Sequence, residues 1–239
     1  MTLAGNQPYF LPYFPYWQLI AAADTFLVSD DYDFIKAGWV NRNRILVNGR
    51  PQYFRIEVLH AGESRLIKDK LLAPHWTDSK LRTVEMAYHA APYFNQGYAL
   101  MEKVFSCRSE RLLDVLELSI REVCAYLGIT TPLVRTSSLE GNSLLRREYR
   151  VYDFCRRLGA DRFINAIGGQ ALYSKEEFKA RGVDLKFIRG GTPPYDQALH
   201  FARYTARPGA FVPGLSVLDV IMFNSREACH DMLGMYELI

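Results

Sequence analysis

The spacing of hydrophobic positions predicts a fold in which helices and short strands alternate. Residues 3–7 begin the pattern as a short strand, and an apolar, β-branched run at 25–29 predicts a second, buried strand. Between them we expect a helix from Pro15 to Ala23, because proline is favoured in the first turn of a helix. This strand–helix–strand order indicates a βαβ unit with a right-handed connection.

The middle of the chain follows the helical period instead. Apolar residues recur three or four positions apart over 109–127, where Ser109 is placed to cap a helix and Gly128 to end it. Helices are also predicted at 78–89, 144–158, 174–181, 216–223 and 226–234, and strands at 162–165 and 183–188. The second half therefore repeats the alternation of helix and strand.

A β-hairpin is predicted between these regions. The strands 43–47 and 52–56 flank Asn48-Gly49, the favoured dipeptide for a tight turn in which both residues need positive φ. Pro51 directly after the turn predicts a longer or slightly irregular loop.

Together these elements predict an α/β fold built from βαβ-type units, with a mainly parallel sheet, a β-hairpin and a helical middle region. The chain has 239 residues, of which 49% are hydrophobic, enough for one sizeable core. We therefore expect a single domain over 1–239, with a helical subregion at about 76–130.

Composition narrows the classes of function. A net charge of +3 with no basic cluster gives no strong signal for nucleic-acid binding. No run of about 18 apolar residues occurs that would predict a membrane span, and the first residues lack the pattern of a signal peptide. The four cysteines are widely spaced and form no C-x-x-C pair, so we expect reduced thiols in a cytoplasmic protein, with no bound metal.

Residues 7–16 contain three prolines, which exclude a regular helix or a central strand. The prolines restrict the segment, so that its side chains are held in place. Because the segment follows the first strand, Gln7 and Tyr9 are predicted to contact a substrate at the carboxyl edge of the sheet. The alternative is a rigid plug of aromatic residues in the core.

Asp30 and Asp31 follow the strand at 25–29 and are predicted to lie at the same edge. Adjacent carboxylates suit a catalytic role, because they can orient or deprotonate a hydroxyl or an amine. The alternative is that one of them caps a turn. A calcium loop starting at Asp31 is excluded, because its sixth position is Lys36 rather than glycine.

The segment 36–44 is dense in recognition groups, since the arginine guanidinium fits carboxylate and phosphate. It is predicted to bind a nucleotide-sugar diphosphate or a similar anion through Lys36, Trp39, Asn41, Arg42 and Arg44. The alternative is a solvated strand edge with salt bridges. Asn165 lies between a strand and a helix, where backbone N–H groups can receive an anion.

Several strings together resemble the WbqC-like family. They are Gln7 to Tyr13, Tyr16 to Ile20, Asp30-Asp31, Gly38 to Ile45, Ala91 to Phe94, Leu158 to Asp161, Asn165 to Gly169, Tyr195-Asp-Gln197 and Leu215 to Ser225. The resemblance covers about residues 6–236, and the conserved order of modest motifs makes it specific. Two positions depart from the pattern: Asn6 stands where many relatives carry histidine, and Pro15 where many carry glycine.

The resemblance implies a role in bacterial surface-polysaccharide (O-antigen) or related metabolite assembly. We therefore predict a transferase that needs no cofactor and acts on an activated sugar or an aminoacyl-type substrate. Asp30 or Asp31 would act on the acceptor, the arginines would hold an anion, and Tyr195 and Gln197 would help to position the substrate. The alternatives are a nucleotide-binding or nucleotidyl-transfer enzyme and a non-catalytic scaffold of a polysaccharide assembly complex.

Overall fold

The structure is a computed structural model that describes residues 1–59, 64–146, 148–197 and 211–239. Within these residues the strands are β1 (Thr2–Asn6), β2 (Thr25–Val28), β3 (Arg42–Val47), β4 (Arg50–Arg55), β5 (Leu133–Arg135), β6 (Arg162–Ala166), β7 (Asp184–Gly190) and β8 (Tyr236–Leu238). The helices are α1 (Phe14–Ala21), α2 (Lys80–Tyr88), α3 (Phe94–Phe105), α4 (Leu112–Leu127), α5 (Glu148–Leu158), α6 (Lys175–Ala180), α7 (Val217–Phe223) and α8 (Arg226–Asp231). The predicted α/β class is confirmed.

The main sheet has the strand order β5-β2-β1-β6-β7-β8 in the described part of the chain. The first five strands are parallel, and β8 runs antiparallel to β7. The chain leaves β1 toward β2 on one side and later returns to β6 on the other side. The strand order therefore reverses between β1 and β6, which creates a crevice beyond their carboxyl ends.

Alternate strand residues cover the two faces of this sheet, because successive side chains of a strand point in opposite directions. Leu3, Leu27 and Phe163 pack in one core cluster with residues of α5 and α6. Ala4 and Phe26 belong to the other cluster, with residues of α1, α3 and α4. The sheet thus lies between two layers of helices, and its strand ends are held in place from both sides.

The hairpin of β3 and β4 has the predicted tight turn. Asn48 and Gly49 have φ of 53° and 70°, as a two-residue turn of this type requires. The predicted longer loop is wrong, because Pro51 lies within β4 and pairs with Leu46. Along an antiparallel ladder, pairs that share backbone hydrogen bonds alternate with pairs that share none. Leu46 and Pro51 form a pair of the second kind, so the missing N–H of proline removes no hydrogen bond from the ladder.

Two helices start three or more residues after the predicted positions. Helix α4 begins at Leu112, because the Ser109 hydroxyl accepts from the Arg111 N–H at 3.0 Å and donates to Asp114 at 2.6 Å. Its end at Gly128, with φ of 75°, is as predicted. Helix α5 begins at Glu148, since the preceding residues Asn142–Leu144 form a separate 3₁₀ turn.

Two further findings bear on the membrane span and on the state of the cysteines, which were both considered from the sequence. No helix among the described residues combines the length and apolar character that a membrane crossing requires. All four cysteines are free thiols.

Candidate functional site

A cleft of about 170 Å³ opens at the carboxyl ends of β1, β2 and β6. It lies where the strand order of the sheet reverses, the usual position of ligands in open α/β sheets. We call it the strand-end cleft, and it is lined by Gly5, Asn6, Gln7, Tyr9, Leu27, Ser29, Tyr32, Val151, Phe154, Phe163, Asn165 and Tyr173.

The lining of the strand-end cleft is polar but carries no charged side chain among the described residues. Burial is the main cause that raises the pKa of the Tyr9 and Tyr32 phenols, and it raises that of Tyr173 to about 12. These phenols therefore stay protonated and neutral at physiological pH. The cleft offers hydroxyl groups, amides and aromatic rings to a ligand.

Asn6 is the last residue of β1, and Asn165 is the last but one residue of the neighbouring strand β6. The Asn6 Oδ1 accepts from the Gln7 N–H at 2.8 Å, and the Asn165 Oδ1 accepts from the Ala166 N–H at 2.8 Å. These bonds fix the orientation of both amides, because only the oxygen can accept. The Nδ2 groups then donate to no other residue in the part of the chain that the structure describes.

The segment 7–16 has one side in the core and one side on the strand-end cleft. Tyr9 donates to the Gln7 side chain at 3.3 Å, and both line the strand-end cleft. Phe10 and Phe14 in the same segment are fully buried in the core. The segment is therefore an aromatic plug on one side and a cleft wall on the other.

Asp31 forms a buried ion pair with Arg150 of α5. The Arg150 Nη2 lies 2.8 Å from both carboxylate oxygens, and the Thr136 hydroxyl donates to Oδ1 at 2.5 Å. The Arg150 guanidinium also packs 4.2 Å from the ring centre of Tyr32, which lines the cleft. Asp31 itself is not among the lining residues, so it supports the cleft wall from behind.

Asp30 is also buried, but it borders a separate pocket whose lining includes Lys68, Arg111 and Arg135. The N–H and the hydroxyl of Ser137 donate to its two oxygens at 3.0 and 2.6 Å. These bonds hold Asp30 to the 3₁₀ turn Thr136–Ser138, which is distant in the chain, and they differ from the capping of a turn in its own segment. Its neighbour Ser29 lines the strand-end cleft, whereas the Asp30 carboxylate does not.

The segment 36–44 lies on β3 and the loop before it, and not in the strand-end cleft. Arg42 donates to the carbonyl oxygens of Ala37 and Gly38 and packs 4.2 Å from the ring centre of Tyr53. Arg44 donates to the Gly214 carbonyl at 3.2 Å, and its Nε is buried without a hydrogen-bond partner in the described chain.

The other predicted residues of this segment have mixed surroundings. Asn41 donates to the Ile56 carbonyl at 2.7 Å. Trp39 is 44% exposed and lies beside Tyr53, and Lys36 is exposed. The hairpin and the loop before it therefore present Lys36 and the rings of Trp39 and Tyr53 to solvent, apart from the cleft.

Tyr195 and Gln197 lie around a buried carboxylate that the sequence did not single out. The Tyr195 hydroxyl and the Gln197 Nε2 donate to Asp219 Oδ1 at 2.5 and 3.0 Å, and the Tyr88 hydroxyl donates to Oδ2 at 3.0 Å. The Gln197 amide also bonds the N–H and the carbonyl of Val212. Neither residue lines the strand-end cleft.

The structure thus brings Gln7, Tyr9 and Asn165 together among the predicted site residues. It adds Ser29, Tyr32, Tyr173 and the aromatic rings of α5 and β6, which had not been singled out. Ser29 and Tyr32 flank the aspartate pair, so the position was recognisable but the side chains chosen differ. The described residues contain no group of three or more metal-ligating side chains arranged to hold a metal ion.

Comparison with known proteins gives one family and one curated relative. A sequence model of the WbqC-like protein family matches residues 7–231. The uncharacterized protein Rv1507c of Mycobacterium tuberculosis (strain ATCC 25618 / H37Rv) is 24% identical over 225 residues, which cover 93% of each chain. No solved structure matches.

Proposed function

This chain belongs to the WbqC-like protein family, and we propose that it is a biosynthetic transferase whose small-molecule substrate binds in the strand-end cleft. One observation carries the proposal: amides, hydroxyl groups and aromatic rings converge in a cleft at the point where the strand order reverses. A concave pocket with an apolar wall and a few fixed polar groups is the usual form of a ligand site.

The substrate class follows from the family resemblance together with this lining. We assign the reaction to the assembly of bacterial surface polysaccharide (O-antigen) or a related metabolite, with an activated sugar or an aminoacyl-type donor. Gln7, Tyr9 and Asn165 bind the substrate in this proposal, because they line the cleft. Asp30 and Asp31 act as positioning residues, since their carboxylates hold the strand end that carries Ser29 and Tyr32.

The two alternatives receive less support. A nucleotidyl-transfer enzyme needs cations around the reacting phosphates, and the strand-end cleft has none among its described lining. A non-catalytic scaffold would be favoured by unpaired aspartates, whereas Asp30 and Asp31 are both hydrogen-bonded inside the protein. The exposed rings of Trp39 and Tyr53 remain available for a partner.

The test is a product assay with matched tyrosine variants. The purified protein is incubated with nucleotide sugars or aminoacyl donors and amine- or hydroxyl-bearing acceptors, and products are detected by mass spectrometry. We expect one donor class to give a product, Tyr173→Ala to abolish it, and Tyr149→Ala to leave it unchanged, because Tyr149 is 55% exposed and outside the cleft. A folded protein that forms no product with any donor would overturn the transferase proposal and favour the scaffold.

A further inference from the structure

We infer that the strand-end cleft accepts a single uncharged ring with oxygen acceptors on its edge, and that any charged group of the ligand stays outside. This inference deepens the proposed function and rests on it for the claim that the ligand is a substrate. It has three independent supports: the size of the cleft, its lack of charge, and the state of two asparagines.

The size limits the ligand to about one ring. Pockets that enclose drug-sized ligands have volumes of roughly 300–1,000 Å³, whereas this cleft has about 170 Å³. Aromatic side chains supply apolar walls, among them Phe154 from α5, Phe163 from β6 and Tyr9 from the proline-rich segment. A ring with an apolar face can pack on such walls while its polar edge meets the hydrogen-bonding groups.

The lack of charge decides against a phosphate inside the cleft. Taking an ion out of water is costly unless an opposite charge and hydrogen bonds compensate it. The Arg150 guanidinium, which packs on Tyr32 of the cleft wall, is already paired with both oxygens of Asp31. Nothing in the described lining compensates a negative or a positive ligand charge.

Three asparagines share one local geometry, and the contrast between them identifies the donors. Asn6, Asn165 and Asn43 each accept the N–H of the next residue through Oδ1 at 2.8 Å. Asn43 is buried and also donates from Nδ2 to the Leu11 carbonyl at 2.9 Å, so its amide is fully used within the protein. No described residue accepts a hydrogen bond from the Nδ2 group of Asn6 or of Asn165, and both residues line the cleft.

Gly169 makes room for one of these donors. A Cβ atom at this position would lie 2.6 Å from the Asn165 Nδ2, closer than any packed contact. A side chain at position 169 would therefore move the Asn165 amide. We conclude that the two amides, oriented by the backbone, donate to oxygen acceptors of the bound ring.

A sugar ring and a nucleobase both present this chemistry, an apolar face and a polar uncharged edge. The experiment separates them by calorimetric titration with methyl glycosides, with nucleosides, and with the corresponding sugar phosphates and nucleotides. Each titration is repeated at low and at high salt, because salt screens charge–charge attraction but leaves neutral contacts almost unchanged.

We expect one uncharged class to bind, with the same affinity at both salt concentrations. Asn6→Asp and Asn165→Asp keep the side-chain size but remove the donors, so each should weaken binding roughly tenfold or more. Gly169→Ala should weaken it while both amides remain. Asn95→Asp is the matched control, because Asn95 is exposed in the first turn of α3 and outside the cleft, and it should bind like the wild type.

Three results would overturn the inference: binding that requires phosphate and weakens with salt, wild-type affinity in both asparagine variants, or no binding of any uncharged ring. These outcomes are separable from failure of the proposed function. Product formation with salt-sensitive binding would remove the inference and keep the transferase. Binding of an uncharged ring without a product from any donor would keep the inference and remove the transferase.

Discussion

Arg150 and Asp31 form an ion pair across 119 residues of sequence, with the Arg150 Nη2 2.8 Å from both carboxylate oxygens. Only 8% of the arginine side chain and 4% of the aspartate side chain are exposed. Because Arg150 also packs on Tyr32, the pair ties helix α5 to the wall of the strand-end cleft. The carboxylate that the sequence offered as a catalytic base is therefore occupied within the protein.

The first prediction concerns this pair. Asp31→Asn leaves the Arg150 charge buried without its partner, and breaking a buried pair costs about 3–5 kcal/mol of unfolding free energy. Urea unfolding followed by circular dichroism measures the loss. Arg189→Ala is the control, since its pair with Glu237 is more than half exposed and should change stability by less than about 1 kcal/mol. Equal effects of the two variants would contradict the structural role.

The second prediction concerns Tyr195, which was assigned from the sequence, together with Gln197, to positioning of the substrate. Tyr195→Phe removes a donor to the buried Asp219 carboxylate, so we expect a loss of about 1.5–3 kcal/mol in unfolding free energy. Ligand binding in the strand-end cleft should persist. The opposite result, unchanged stability with lost binding, would mean that Tyr195 contacts the substrate as the sequence indicated. Tyr149→Phe, an exposed tyrosine, serves as the control.

Two adjacent glycines differ in what surrounds them. A Cβ atom on Gly190 would overlap the Gln18 Oε1, whereas a Cβ atom on Gly191 would meet nothing within 4 Å. Gln18 is buried, and its amide bonds the backbone of Gly191, Met232 and Met235. Gly190→Ala should cost about 1–3 kcal/mol through overpacking, and Gly191→Ala should be close to neutral. Thermal unfolding of both variants measures the difference in stability, and similar melting temperatures would contradict the prediction.

The pH dependence of stability has one clear source in helix α5. Burial opposes ionisation of Asp153, but hydrogen bonds from Asn142, Arg157 and Arg156 outweigh it and lower the pKa to about 2. The ordinary pKa of aspartate is about 3.9, so the folded state binds this proton less readily than the unfolded state. The ionised group therefore stabilises the fold above about pH 4, and the contribution is lost as the pH falls toward 2.

Asp153→Asn should remove this dependence. We expect the stability difference between the wild type and the variant to be constant near neutral pH and to shrink as the pH falls from about 4 to about 2. Unfolding in urea at a series of pH values measures it. A difference that does not change over this interval would show that the three donors do not favour the carboxylate.

Strong local patterns were enough for part of the fold. The apolar runs of β2 and β7, the stripe of α4 with Gly128 at its end, and the Asn48-Gly49 turn were all predicted from the sequence. The strands β5 and β8 were not, because each has only three residues and forms by pairing with a neighbour at the sheet edge. Helix α3 lies inside the predicted helical subregion, but no separate helix was predicted over its residues; its Gly97 packs against Met222 of α7, a contact that no local pattern encodes.

The candidate site was likewise predicted only in part. The rule that ligands lie beyond the carboxyl ends of parallel strands indicated Gln7 and Tyr9, because it depends only on strand positions, and the place of Asn165 between a strand and a helix indicated that residue. It also indicated the end of β2, but it could not tell that the carboxylates of Asp30 and Asp31 turn inward. Their partners Ser137 and Arg150 are more than 100 residues away in the chain, and no local pattern encodes such a contact.

The central position of β1 has a consequence for how the chain assembles during synthesis. Thr2 at the start of β1 pairs with Arg162 at the start of β6. At translation rates of about 5–20 residues per second, β6 follows β1 by roughly 8–30 seconds. During that interval one edge of β1 has no sheet partner, and such unpaired apolar edges favour aggregation. We therefore expect the yield of folded protein from the ribosome to depend on chaperones that cover nascent chains.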